Sequence, residues 1–227
     1  MPPAPSKSTC YRGSRRAAWV EMMCVVDWSW AATEEEADER RARARELIGL
    51  QLSSVVYVLI DYGQPDRPSG SRGPRLVADT TELAAPAWRC EMFDWADYAV
   101  EFATTSGRVF TVSWDQPGWH EGIWIREARA RSSAYQEDAN VAIWDVSQAG
   151  RWNRYIGAVI TDVVMHYRPW APGDGHWCSR ITLHIDGRPV HLLLGDADSG
   201  QQLVPAADNI AVLFPPTQLP EWERYDG

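Results

Sequence analysis

Ile48-Gly49-Leu50-Gln51-Leu52-Ser53-Ser54-Val55-Val56-Tyr57 is followed, 108 positions on, by Ile156-Gly157-Ala158-Val159-Ile160-Thr161-Asp162-Val163-Val164-Met165. The Ile-Gly and Val-Val pairs coincide, and apolar and small polar residues otherwise correspond. Self-similarity at one offset is the mark of an internal repeat, which governs every later reading of a chain. Downstream of each copy lies a hairpin pattern, Tyr98 to Trp114 turning at Ser106-Gly107 and Arg180 to Leu194 turning at Asp186-Gly187. Glycine tolerates positive φ, so both X-Gly steps suit two-residue hairpin loops. Each hairpin leads to a short apolar run, Gly122 to Ile125 and Asn209 to Phe214. The unit is helix, long strand, loop, hairpin and final strand, used twice.

The expected fold class is α+β, mainly antiparallel β-sheet with two short helices and two pseudo-repeated halves. The halves are 19–130 and 140–227, sharing one core, with a disordered tail at 1–18 and a link from Ala128 to Asn140. Ser14-Arg15-Arg16-Ala17-Ala18-Trp19 loosely resembles a twin-arginine export signal, but Glu21 and Asp27 interrupt the apolar stretch such a signal needs. The first helix is written plainly. Thr33 and Glu36 form a capping box, acidic Glu34 to Glu36 open the helix, and Arg40, Arg41, Arg43 and Arg45 close it, as the macrodipole favours. Glu36 with Arg40 and Glu39 with Arg43 are expected i,i+4 pairs. A shorter helix is expected within Ser147 to Tyr155.

Composition excludes several functions. A net charge of −9 argues against nucleic acid, because phosphate binding needs clustered Lys and Arg, and favours a basic or neutral partner. Among 22 basic residues only Lys7 is a lysine, a bias of high-GC bacterial coding. It removes Schiff-base chemistry, a pyridoxal phosphate anchor and a phosphate-loop lysine from the folded part. Cys10, Cys24, Cys90 and Cys178 are widely spaced and fit reduced thiols rather than a disulfide scaffold or a zinc ribbon. No apolar run reaches the roughly 18 residues of a membrane helix. The chain is expected in the cytoplasm, without membrane contact.

Catalytic signatures are missing: there is no G-x-S-x-G elbow, H-E-x-x-H, phosphate loop or dinucleotide glycine pattern. Asp196 to Gly200 has only the beginning of a calcium loop and is expected to be a polar turn. A two-residue turn at Asp186-Gly187 sets His184 opposite Pro189 and His191 opposite Thr182 on one face, with His166 the nearest third ligand for a metal. The first half offers no matching histidines, so no metal and no cofactor are expected. The same register puts Glu101 on the face of Phe110, Val112 and Trp114, a costly position for a carboxylate.

Tryptophan is the compositional anomaly, at 13 of 227 residues. Large aromatics with a polar N–H fill cores and also anchor interfaces. Trp114, Trp119 and Trp124 surround the end of the first hairpin, while Trp170 and Trp177 flank the loop after the second long strand. A binding site is expected where Asp61, Trp114, Asp115, Trp119, Trp170 and Trp177 gather. The function expected is non-enzymatic binding of another protein, in the manner of an immunity protein or adaptor. The alternatives are a small-molecule or carbohydrate module that stacks tryptophan, or an unrecognised hydrolase. A flat aromatic patch favours the first, a deep aromatic cleft the second, and a cleft of converging carboxylates or histidines the third.

Overall fold

A computed structural model of the chain describes residues 29–61, 74–115, 121–130, 141–148, 150–170, 175–206 and 208–224. The strands of the first half are β1 (Trp30–Ala31), β2 (Leu52–Ile60), β3 (Arg75–Leu76), β4 (Phe93–Ala96), β5 (Ala99–Thr104), β6 (Val109–Asp115) and β7 (Gly122–Glu127). The later strands are β8 (Val141–Asp145), β9 (Ile160–Pro169), β10 (His176–Ile185), β11 (Arg188–Leu194), β12 (Asp196–Ala197), β13 (Leu203–Val204) and β14 (Ile210–Leu213). Among the described residues three helices accompany them, α1 (Glu34–Ala44), α2 (Thr80–Ala84) and α3 (Glu221–Arg224). The architecture is α+β and mainly antiparallel β. The tail at 1–18, the twin-arginine stretch and most of the link lie outside the described residues.

Two six-stranded sheets pack face to face. One runs β3-β8-β2-β5-β6-β7; the other runs β10-β11-β14-β4, with β9 on the far side of β10 and β1 extending beside its first residues. Inward residues of both sheets, among them Tyr57, Phe102, Val112, Leu183, Leu192 and Val212, form one continuous core. Trp88, Trp144 and Trp152 fill it: Trp152 is fully buried, with its ring 4.9 Å from that of Phe214 and 5.6 Å from that of Phe102.

The strands β2-β5-β6-β7 and β9-β10-β11-β14 follow the same order as antiparallel meanders. A 3₁₀ turn precedes each Ile-Gly pair, Arg45–Leu47 in one case and Asn153–Tyr155 in the other. Gly49 and Gly157 adopt φ of 86° and 85°, a region that residues with a Cβ rarely adopt, which is why glycine recurs there. The two corners bond to each other. Gly49 N donates to Ile160 O at 2.8 Å and Gly157 N to Leu52 O at 2.7 Å, while Gln51 faces Val159 across an antiparallel bridge. Both long strands leave this junction through an irregularity, at Leu52/Ser54 and at His184/Ile185 opposite Ile160.

The halves are not separate bodies, because β4 pairs with β14 and β8 pairs with β2. The second hairpin has the expected register, with Thr182 opposite His191, His184 opposite Pro189 and Asp186 and Gly187 at positive φ. The first hairpin does not. Thr104 N bonds to Arg108 O at 3.0 Å and Gly107 N to Thr104 O at 2.9 Å, which makes a three-residue loop. One extra residue moves every side chain of a strand to the other face. Glu101 therefore stands opposite Thr111, away from Phe110 and Val112, and accepts a bond from Ala130 N at 2.8 Å.

Thr33 caps α1 as expected, accepting from Glu36 N at 3.3 Å, while Glu36 reaches back to Ala32 N at 2.9 Å. Glu36 and Arg40 approach to 3.9 Å. Glu39 and Arg43 form no ion pair, against expectation, and Arg43 lines the groove beside β7 instead. The expected second helix is only the 3₁₀ turn Asn153–Tyr155, since Gly150 at φ 56° breaks what precedes it. No helix among the described residues is long and apolar enough to cross a membrane. Cys90 and Cys178 are buried free thiols, and burial pushes the Cys178 thiol up to about 12, leaving it inert.

Candidate functional site

Both meanders run away from the Ile-Gly junction, so their other ends share one end of the molecule. Ile60, Tyr98, Asp115 and Gly122 mark this end in the first sheet. Pro169, His176, Leu194, Ile210 and Ala96 mark it in the second. Asp61, Trp114, Asp115, Trp170 and Trp177 all lie at or next to these strand ends. Trp119 lies outside the described residues.

Contacts divide these residues into two neighbourhoods. In the first, Trp177 pairs across strands with Trp30, and the Trp170 ring meets both edge-on, at 5.9 Å from Trp177 and 6.5 Å from Trp30. Trp170 is 47% exposed, whereas Trp177 packs against the core. Asp115 joins this group through Ser29, which donates its backbone N–H and its hydroxyl to the carboxylate. Gly122 must be glycine here, because a Cβ would lie 2.6 Å from the Ser29 Cβ.

The second neighbourhood centres on Asp97, which follows β4. Its Oδ1 accepts from Ile60 N at 2.7 Å, and its backbone carbonyl accepts from Trp114 Nε1 at 2.9 Å. Trp114 is thus half-buried and bonded inward, and is no free rim residue. Asp61 is buried and ion-paired to Arg75 at 2.9 Å, with Glu82 gripping the other side of the same guanidinium. Asp196 follows the end of β11 and Asp208 precedes β14, so three carboxylates stand past the ends of three adjacent strands. Sequence reasoning missed Trp30, Asp97 and Asp208. Asp208 was visible as an acid flanking the last strand, but the pairing of β4 with β14 has no local signal.

Burial pushes the Asp97 carboxyl up to about 6, and the nearby Asp196 and Asp208 add to the rise. Its Oδ2 is buried with no hydrogen-bond partner among the described residues. An unfolded aspartate titrates near about 3.9. The folded state therefore holds this proton more tightly, and the group's contribution to stability falls as pH rises from about 4 to about 6, then levels. Asp97→Asn keeps the acceptor for Ile60 N and removes the charge. It should raise the melting temperature at pH 7 and flatten that decline, as thermal scans from pH 4 to 8 would show; a lower melting temperature at pH 7 would contradict the assignment.

The histidines do not converge on an open position. His166 Nε2 and His191 Nδ1 each bond to the Thr182 hydroxyl at 3.0 Å, and Arg180 Nη2 lies 2.9 Å from His166 Nδ1. Burial, then the Arg180 charge, lowers His191 to about 4, so it stays neutral. Among the described residues no three His, Cys, Asp or Glu side chains group to hold a metal. The chain matches no family model, no curated protein and no solved structure in the three comparisons made.

Proposed function

We propose that this chain binds another protein without catalysis, as an immunity protein or adaptor does, and that the strand-end face around Trp170 is its docking surface. The observation that carries the reading is a tryptophan nearly half exposed and backed edge-on by two more. Rigid aromatics make the strongest interface anchors, contributing roughly 2 kcal/mol or more each. Asp115 joins this aromatic group through Ser29, and Asp97, Asp196 and Asp208 stand past neighbouring strand ends at the same end of the molecule, so a basic or neutral partner suits this end, with the charges tuning its association rate. We also infer that the halves descend from one duplicated unit, a reading supported by the common strand order and the mutual Ile-Gly bonds.

The test is co-purification from the native host with wild-type and Trp170→Ala baits, followed by mass spectrometry. A partner recovered by wild type should be lost with Trp170→Ala, while the melting temperature changes little because the ring is partly exposed. Trp177→Ala should instead destabilise, since that ring packs on the core. Equal recovery by wild type and Trp170→Ala would remove this face as the docking surface.

A further inference from the structure

The outer face of the second sheet carries a row of hydrogen-bonded side chains that ends on α3. Arg180 stands directly opposite His166 on β9, and Thr182 directly opposite His191 on β11, so the four share one face. Arg180 Nη1 donates to the Glu223 carbonyl at 2.7 Å and to Glu223 Oε2 at 3.2 Å, while its Nη2 lies 2.9 Å from His166 Nδ1. His166 Nε2 and His191 Nδ1 then meet at the Thr182 hydroxyl, 3.0 Å from each. Only one arrangement of protons satisfies this row. A guanidinium only donates, so His166 Nδ1 accepts and the His166 proton sits on Nε2. The Thr182 oxygen accepts from that N–H and passes its own hydrogen to His191 Nδ1, which puts the His191 proton on Nε2. Both imidazoles are neutral.

A further proton disrupts the row wherever it enters. On His166 it sets N–H against N–H at the Arg180 contact, and on His191 it takes the acceptor from the Thr182 hydrogen. Burial, then the charges of Arg180 and His184, lower His191 from 6.5 to about 4. The unfolded chain therefore binds more protons between those values, and acidification from about 6.5 to about 4 draws stability from the folded state. The carboxylates on the elements packed here are Asp162 of β9, Asp196 and Asp198 of the β12–β13 hairpin, and Glu221 and Glu223 of α3. The cations are Arg168 of β9, His184 of β10, Arg188 of β11 and Arg224 of α3, and β14 and β4 present only Ala211, Leu213, Phe93 and Trp95 to this face. Leu193 and Leu213, the cross-strand partners of Arg180 and His191, belong to an apolar cluster on which Leu219 and Trp222 pack.

We propose that this row is an acid-sensitive latch on α3: the neutral histidines steady Arg180 against Glu223, and their protonation drives Arg180 from His166, weakens its grip on Glu223 and lifts α3 from the apolar cluster of Leu193 and Leu213. Arg168 holds the same glutamate from β9, and each new positive charge beside the two arginines leaves one buried carboxylate to balance more cations. The sheet itself stays folded, because its core lies on the opposite face. Asp97 acts in the opposite direction over part of the same pH range, so the test is a local one.

The experiment follows the full chain by NMR from about pH 7.5 to about pH 3.5. Long-range nitrogen–proton correlations should place the proton on Nε2 of both His166 and His191 at the neutral end. On acidification the Trp222 indole should lose its nuclear Overhauser contacts to the Leu193 and Leu213 methyl groups in step with histidine protonation, while the Leu192 and Val212 methyl groups of the core stay dispersed. His191→Gln keeps an acceptor for Thr182 and takes up no proton, so it should move the release down by at least about one pH unit. A proton on Nδ1 of His166, a Trp222 seat unchanged at the acid end, release only together with the core, or an unshifted midpoint in His191→Gln would each overturn the proposal.

Discussion

Trp152→Ala should destabilise the fold by about 3–5 kcal/mol, the scale for deleting a fully buried tryptophan. The ring lies at the centre of the core, edge-on to Phe102, Tyr155 and Phe214. It also begins a polar chain between the sheets: Trp152 Nε1 donates to Tyr57 OH at 2.6 Å, and Tyr57 OH donates to Asp94 at 3.0 Å. Arg151 closes the chain by binding the same carboxylate. Truncation therefore opens a cavity and removes the donor that orients a buried phenol. Trp152→Phe keeps most of the volume and loses the bond, so it should cost less, near about 1–3 kcal/mol. Denaturant unfolding of both variants checks the order, and equal losses would show that the hydrogen bond, not the volume, dominates.

Glu223→Ala should be comparably severe, at about 3–5 kcal/mol, because it strands buried charge. Glu223 is 3% exposed, and its Oε2 receives Arg168 Nη2 at 3.0 Å, Arg180 Nη1 at 3.2 Å and Ser179 Oγ at 3.3 Å. Arg180 is itself buried and cannot turn to water. The two guanidiniums also hold the carbonyls of Trp222 and Glu223, so α3 is fastened to the outer face of the sheet that holds β9 and β10. For a chain of this size the loss corresponds to a fall of roughly 6–20 °C in melting temperature. Arg180→Met with Glu223→Leu, which removes charges on both sides, should recover part of it. A fall below about 2 °C for Glu223→Ala would mean that α3 does not seal these arginines from solvent.

Much of this fold could be read from local pattern. The α1 cap, the long strands, the second hairpin with its apolar face of Ile181, Leu183, Ile185, Val190 and Leu192, and the shared end of the loop-flanking residues follow from periodicity and turn chemistry. The first hairpin shows where that logic stops. Ser106-Gly107 carries the glycine of a two-residue turn, but the glycine serves equally as the last residue of a three-residue loop, and the difference inverted Glu101. The pairing of β4 with β14 and of β8 with β2 joins residues far apart in the chain and leaves no local trace. Tryptophan was ambiguous for another reason. The same side chain serves as core at Trp88, Trp144 and Trp152 and as exposed surface at Trp170, and only the packing of both sheets decides which.

The exchange of strands between sheets bears on synthesis. Trp95 in β4 pairs with Ala211 in β14, so a ribosome must add 116 residues between one partner and the other. At about 5–20 residues per second that takes roughly 6–23 s. During that interval the first meander can close, because all four of its strands, the last ending at Glu127, precede Ala211 in the chain, while Phe93 to Ala96 has no edge to join. The nascent chain thus carries an unpaired strand until β14 is made, a window in which chaperone capture or pairing with a neighbouring nascent chain competes with the native sheet.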